Sequence, residues 1–400
     1  MSQNRLLGGL PLGFYVVAIS GFLFHMGASV VSPILTLHMR DVGATVFQIG
    51  GILSLQASLL IVLRIPLTLV ARRVGEKRML ALAFVSESVA LLLYGWAPSP
   101  AWFWAVPVAQ VLATGTFFQL ATAINSNLAP EDRQGEALGR HMTIMSIPSF
   151  LGPALCGLLV SSLGYRRMFY LSLVFPLVGL AMFWFFTRDL SLAGSEVPAR
   201  QTPTAESLRR LVSDRNVGVL AFIRALYSTG NNAFSTLFSL YAVNQLGFQA
   251  SQVAALFAAL GVANTAVKVP VGSLSDRVGR KHLLFATFAV IVLVFVALAN
   301  FTGYAPIAVT VMFFGAAWGS RATVEWAALT TQVRPEEKTL AVGFMEGFWD
   351  LGAAAGSFLA GLLSGFLSVP TIMLVMAGIN APALPAILLM RDKGGAGQRR

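Results

Sequence analysis

The chain has 400 residues, 56% hydrophobic and 11% charged, with a mean hydropathy of +0.73 and a formal net charge of +11. A soluble protein could not cover so apolar a core with polar surface, so the solvent must be lipid. One cysteine builds no disulfide framework, and the absence of a nucleophile elbow, an HExxH metal motif and a Walker phosphate loop argues against a membrane enzyme and against self-contained ATP drive.

Met1 to Gly9 carries a single positive charge, and the apolar run behind it is long enough to span, so the first helix is expected to act as its own insertion signal. Twelve apolar runs follow in order, at 12–37, 46–71, 78–96, 101–128, 137–163, 167–187, 216–243, 250–274, 282–300, 304–330, 339–366 and 369–390. They are too long for strands and lack period-two alternation, which predicts an all-α membrane protein. Residues 189–215 read as a linker, with Pro198, Pro203 and a short amphipathic stretch around Arg209 and Arg210. The expected organisation is a six-helix bundle over 1–188, the linker, and a second six-helix bundle over 216–400. Of the 28 Lys and Arg residues, 20 fall on the N-terminal side of the membrane and only Arg40, Arg166 and Arg167 opposite, so both termini are expected in the cytoplasm. The positive charge is then topology and not nucleic-acid affinity.

The two halves repeat each other with an offset of 204 residues. Arg64, Ile65 and Pro66 correspond to Lys268, Val269 and Pro270; Arg73, Gly75 and Lys77 to Arg277, Gly279 and Lys281; Gly43 and Gln48 to Gly247 and Gln252. The stretch from Pro270 to Lys281 puts Asp276, Arg277, Arg280 and Lys281 on a tight Gly279 turn between two apolar runs. With Gly272, this pattern resembles the signature cytoplasmic loop of the major facilitator superfamily at all of its fixed positions. The first copy departs from it: Arg72 stands where the Asp belongs, Glu76 where the second Arg belongs, and Thr68 where the first Gly belongs. The resemblance implies twelve transmembrane helices in two pseudo-symmetric bundles that work by alternating access. It also implies that the loop Asp of the first half would hold the start of the eleventh helix, so Arg72 or Arg73 is expected to pair there with Glu336 or Glu337, a charge swap. Small residues at Gly152, Gly157, Gly352, Gly356 and Gly361 predict close helix packing, expected where the halves meet.

In this superfamily the first and seventh helices line the central cavity, which makes His25, Ser29, Tyr227, Asn231 and Asn232 the implied solute contacts, through neutral hydrogen bonds. Plain interhelical hydrogen bonding is the alternative. His25 and His38 are 13 residues apart, about 220° at 3.6 residues per turn, so they share no face and no metal site is expected. Arg64 and Lys268, mates under the repeat, could clamp an anion or snorkel back to water.

Nine charges lie within the spans: Arg64, Glu87, Arg140, Arg224, Lys268, Arg321, Glu325, Glu346 and Asp350. Such groups are paired or face a wet cavity. Glu87 is expected to find a structural partner such as Arg64, and Arg140 to snorkel. Arg321 and Glu325 are spaced i,i+4, as are Glu346 and Asp350, so each pair shares a helical face. Two carboxylates so close repel unless a cation intervenes. Glu346 and Asp350, with Glu325 beside them, are expected to carry the coupling proton with Arg321 as partner; a static salt-bridge network is the other reading. The expected protein is a monomeric secondary transporter of the cell inner membrane, without cofactor, that expels amphipathic compounds in exchange for protons. Uptake or exchange of a small organic anion or nutrient is the alternative within that class, and a non-transporting receptor the alternative outside it.

Overall fold

The computed structural model describes residues 6–7, 9–130, 133–187, 205–334 and 337–390. After a two-residue antiparallel pair, β1 (Leu6–Leu7) with β2 (Leu10–Pro11), the described chain is helical. The helices are α1 (Leu12–Val31), α2 (Leu35–Asp41), α3 (Val46–Val74), α4 (Glu76–Trp96), α5 (Val106–Leu128), α6 (Gln134–Ser146), α7 (Pro148–Phe186), α8 (Ala205–Ser213), α9 (Arg215–Asn244), α10 (Ala250–Val278), α11 (Arg280–Asn300), α12 (Tyr304–Gln332), α13 (Lys338–Leu363), α14 (Val369–Asn380) and α15 (Ala383–Leu388). They supply the twelve crossings: α1 with α2, then α3, α4 and α5, α6 with the first part of α7, the rest of α7, α9 to α13, and α14 with α15. Among the described residues nine helical stretches are long and apolar enough by hydropathy alone. One of these, 136–186, holds two crossings, because they are joined without a loop at Gly164, whose φ of +70° turns the chain. The other two shortfalls are α9 and α13, at 30 and 26 residues long enough to span but too polar. Both carry the charged site described below.

The repeat is visible in the fold. Adding 204 to both ends of α3 and α4 gives α10 and α11. The helix starts are capped alike: the Thr45 amide donates to Gln48 Oε1 at 2.9 Å and the Gln249 amide to Gln252 Oε1 at 2.8 Å. Gly75 and Gly279 turn the chain at φ +92° and +93°. Just past each turn a lysine reaches the end of its half: Lys77 donates to the Thr187 carbonyl, and Lys281 Nζ to the Met390 carbonyl at 3.0 Å. A cation there complements the negative end of the last helix.

Contacts divide the chain into two compact units, residues 1–198 with 239–258, and residues 199–238 with 259–400. In unit 1, Leu240 and Ala254 share an apolar cluster with Ile34, Ala44, Tyr94, Phe103 and Cys156. The small-residue faces act in both ways: Gly157 of α7 lies against Ser251 and Ala254 of α10 in the other half, as expected, whereas Gly152, Gly352 and Gly356 pack helices of the same half. A Cβ on Gly152 would strike the backbone of Ser29 in α1, and one on Gly356 would fall 2.1 Å from the Thr229 carbonyl oxygen in α9. Bare backbones touch there because helices in lipid associate by close packing and not by expelling water. Large apolar side chains point outward, among them Leu158, Val269 and Phe366, each more than three-quarters exposed in the bare protein, as a lipid-facing surface requires.

A Cβ on Gly75 would meet nothing within 4 Å, and on Gly279 only His282 at 3.5 Å. Space is therefore not the constraint; the backbone is. Gly75→Ala and Gly279→Ala should each cost about 1–3 kcal/mol, read as similar drops in thermal unfolding temperature for the purified protein in detergent.

Candidate functional site

Unit 2 brings five charged side chains from three helices together. Arg224 projects from α9, Arg321 and Glu325 from α12, and Glu346 and Asp350 from α13. Arg224 Nη1 donates to Glu325 Oε1 at 2.7 Å, and its Nη2 donates to Glu346 Oε1 at 2.5 Å. Arg321 Nη1 takes the other oxygen of Glu325, one turn along the same helix. Glu325 is fully buried, Arg321 and Asp350 nearly so, whereas a quarter of the Glu346 side chain is exposed. Asp350 also acts electrostatically on Arg224.

Aromatic faces enclose both guanidinium groups. The Arg224 carbon lies 4.7 Å from the Trp326 ring centre and 5.5 Å from that of Trp349. The Arg321 carbon lies 4.2 Å from the Tyr227 ring centre and 5.6 Å from that of Trp349. Such stacking is worth about 0.5–2 kcal/mol per contact when desolvated. It leaves Nε of each arginine buried without a hydrogen-bond partner. If all five groups are ionised, two cations face three acids. One negative charge is in excess, and a bound proton or a cationic ligand would balance it.

Of the residues expected from sequence, Tyr227, Arg321, Glu325, Glu346 and Asp350 meet here. The cation that bridges to Glu346 is Arg224, in the place expected of Arg321. Arg321 is drawn back instead to Glu325 on its own helix, because i,i+4 geometry brings them into contact without cost in register. Arg224 is one of the charges that the sequence places within the spans, three residues before Tyr227 on one face of α9, whereas nothing in the sequence marks Trp326 and Trp349. Asn231 is reached by the Tyr227 hydroxyl at 3.4 Å. Asn232 donates to the Ser228 carbonyl at 2.9 Å, so much of the polar girdle is spent on its own helix. Lys268 is half-buried on α10.

The other expected contacts belong to unit 1. His25 stands edge-on to Phe24 and Phe117, and His141 acts electrostatically on it. His141 is buried and meets Asn125 Nδ2 at 2.7 Å from α5, making a second polar group that sequence reading did not assemble. Ser29 packs against Gly152, and Arg64 is half-buried on α3. His38 sits on α2, beyond the break that ends α1, and does not join His25. Among the described residues no group of three or more His, Cys, Asp or Glu is placed to hold a metal.

Around the signature loop, Arg73 and Arg277 are exposed and Arg280 Nη1 donates to Thr331 at 2.5 Å. A Cβ on Gly272 would meet only Thr323, at an ordinary 3.8 Å. Glu337 holds Arg210 at 3.2 Å. Glu336 and the side chains of Arg72 and Asp276 lie outside the described residues.

The family model for the Major Facilitator Superfamily matches residues 17–262 and 220–400. The chain is 24% identical to the multidrug resistance protein MdtG of Salmonella paratyphi A over 374 residues, 90% of each protein. It is 21% identical to an uncharacterized MFS-type transporter of Methanocaldococcus jannaschii, over 91% of this chain and 94% of that one. Among solved structures it is similar to the nucleoside transporter NupG, with a TM-score of 0.77 at 13% identity, over 94% of this chain and 98% of the other. It is also similar to a peptide transporter POT in complex with alafosfalin, with a TM-score of 0.76 at 18% identity, over 96% and 95%.

Removing Arg224 would leave Glu325 and Glu346 short of a cation inside the bundle. Arg224→Met should destabilise the protein by about 3–5 kcal/mol, and adding Glu346→Gln, which leaves the Arg321–Glu325 pair intact, should restore part of that loss. Thermal unfolding of the single and double variants in detergent measures both.

Proposed function

Because this chain belongs to the major facilitator superfamily, and is thus a multi-pass membrane transporter, we propose that it expels amphipathic organic solutes in exchange for protons. The observation that carries this reading is the charge count of the buried cluster. Three acids share two arginines, and Glu346 is both the most exposed acid and bound to only one nitrogen of Arg224. A proton on Glu346 or Asp350 would balance the cluster, and on Glu346 it would release one bond of Arg224. The two protonation states would then favour different openings of the cavity, which is the requirement for coupling. The aromatic walls of Trp326, Trp349 and Tyr227 suit apolar, flat or cationic solutes. The multidrug resistance name of relatives at 23% and 24% identity supports export.

In this proposal residues 1–188 and 216–400 alternate in access, the termini are cytoplasmic, the membrane is the cell inner membrane and the working unit is a monomer. The positions of Arg64 and Lys268, half-buried on the paired helices α3 and α10, favour a second reading, exchange of an organic anion.

Transport by Glu346→Gln and Asp350→Asn proteins in liposomes, with and without an imposed pH gradient, tests the coupling. Gradient-driven accumulation should be lost in at least one variant while counterflow without a gradient persists. Full accumulation in both would reduce the cluster to a structural network. Counterflow of a lipophilic cation and of an organic anion decides between the two solute classes.

A further inference from the structure

Unit 1 holds a buried acid that the cluster in unit 2 does not use. Glu87, in the middle of α4, is 1% exposed, and its Oε1 has no hydrogen-bond partner. The serines on either side do not serve it: Ser86 donates to the Ala109 carbonyl and Ser88 to the Phe84 carbonyl. Its surroundings follow from the packing of the turns above and below. A Cβ on Gly179 of α7 would strike Phe84 and Leu23, and one on Gly27 of α1 would meet Leu91 and Pro176. Phe84, Glu87 and Leu91 lie on one face of α4. Glu87 therefore sits between those contacts, where α1, α4 and α7 converge in hydrocarbon. An ionised carboxylate spreads its charge over both oxygens, and leaving one bare in such a place is far costlier than binding a proton.

A line of polar groups leads outward from it. Tyr94, two turns further along α4 and 2% exposed, is in electrostatic contact with Glu87. Its carbonyl is bound at 2.8 Å by Nε2 of His38 on α2. His38 is 1% exposed, its Nδ1 has no hydrogen-bond partner, and its ring packs on Phe103 and Phe169, as does that of Tyr94. Asp41, exposed at the end of α2, and Arg166 of α7 act electrostatically on His38.

The remaining ionisable groups on helices packed against α4 are few. The 3-10 turn Pro100–Ala105 and α5 carry none. From α1 come Tyr15, which accepts from Arg140, and His25, packed on Phe24 and Phe117. From α7 come Cys156, Tyr165, Arg166, Arg167 and Tyr170, of which Arg166 and Tyr170 donate to the Ala97 and Gly95 carbonyls at the α2 end. From α3 come Arg64, half-buried, with Arg72 and Arg73 further along.

We propose that Glu87 is a second proton-binding group of this transporter, loaded and unloaded from the α2 end of unit 1 past His38 and Tyr94. The step is carboxylate plus proton to carboxylic acid and back, with no other bond made or broken. Its part in driving transport rests on the proton-coupled reading above; the binding of the proton does not.

Infrared difference spectroscopy of the purified protein in lipid, without any solute, reads the proton directly. The wild type should show a C=O stretch of a protonated carboxyl that shifts in D2O and falls in amplitude as pH rises. Glu87→Gln should remove that band and Glu346→Gln should leave it, while His38→Gln and Tyr94→Phe should slow its exchange with D2O. If Glu87→Gln does not fold, Glu87→Asp should move the band. Two results overturn the proposal. A band set unchanged by Glu87→Gln means an ionised, paired acid, with Arg64 as the α3 candidate. A Glu87 band of constant amplitude at every pH the fold survives means a neutral structural acid. Neither depends on whether the Glu346 and Asp350 variants lose gradient-driven transport.

Discussion

Unit 2 depends on one carboxylate. Glu325 has no exposed surface, and each of its oxygens meets a different arginine, one from α9 and one from its own helix. Desolvating these ions costs several kcal/mol apiece, and only short, fully used contacts repay it. The position of α9 against α12 is thereby fixed at the atomic scale. Through the second arm of Arg224 the constraint reaches α13, where the Ser228 hydroxyl also donates to the Trp349 carbonyl at 2.7 Å. The bare approach of Gly352 and Gly356 to the carbonyls of Ala225 and Thr229 lets those short bonds form, since any side chain there would hold the helices apart.

Lipid imposes the rest. With no water to satisfy backbone groups, polar residues inside the spans turn back on their own helices, as Thr229, Ser235 and Thr236 do on the carbonyls of Ala225, Asn231 and Asn232. Turns are confined to the ends, where Gly75 and Gly279 allow the chain to reverse in a single residue between long helices.

Hydropathy and repeat made the twelve crossings legible in the sequence, because both are one-dimensional properties. The offset of 204 places the caps at Gln48 and Gln252 and the turns at Gly75 and Gly279 without reference to any coordinate. The i,i+4 pairing of Arg321 with Glu325 was legible for the same reason. The bridge from Arg224 to Glu325 was not, since it joins residues 101 apart and depends on how two helices are rotated about their own axes. Nor was the continuous α7 legible: Gly164 and the basic pair Arg166 and Arg167 read as a loop, yet the chain needs only one left-handed residue to pass between crossings. His141 against Asn125 escaped notice because each residue alone resembles ordinary polar relief in an apolar helix.

The repeat also bears on why the ions are there. Gly152 touches Ser29 where its counterpart Gly356 touches Thr229, so α1 and α9 correspond at an offset of 200, while α5 and α12 keep 204. Under that correspondence Phe24 occupies the place of Arg224, Phe117 that of Arg321 and Ala121 that of Glu325. In unit 1 the two phenylalanine rings simply stack, 3.7 Å apart and 3° from parallel. The same scaffold is thus held together on one side by a pair of aromatic rings and on the other by desolvated ions. The first solution is the less expensive one in lipid, and a chain that contains both shows that its architecture does not require the second. Packing has an inexpensive answer within the same molecule, and the ions of unit 2 are the costlier of the two.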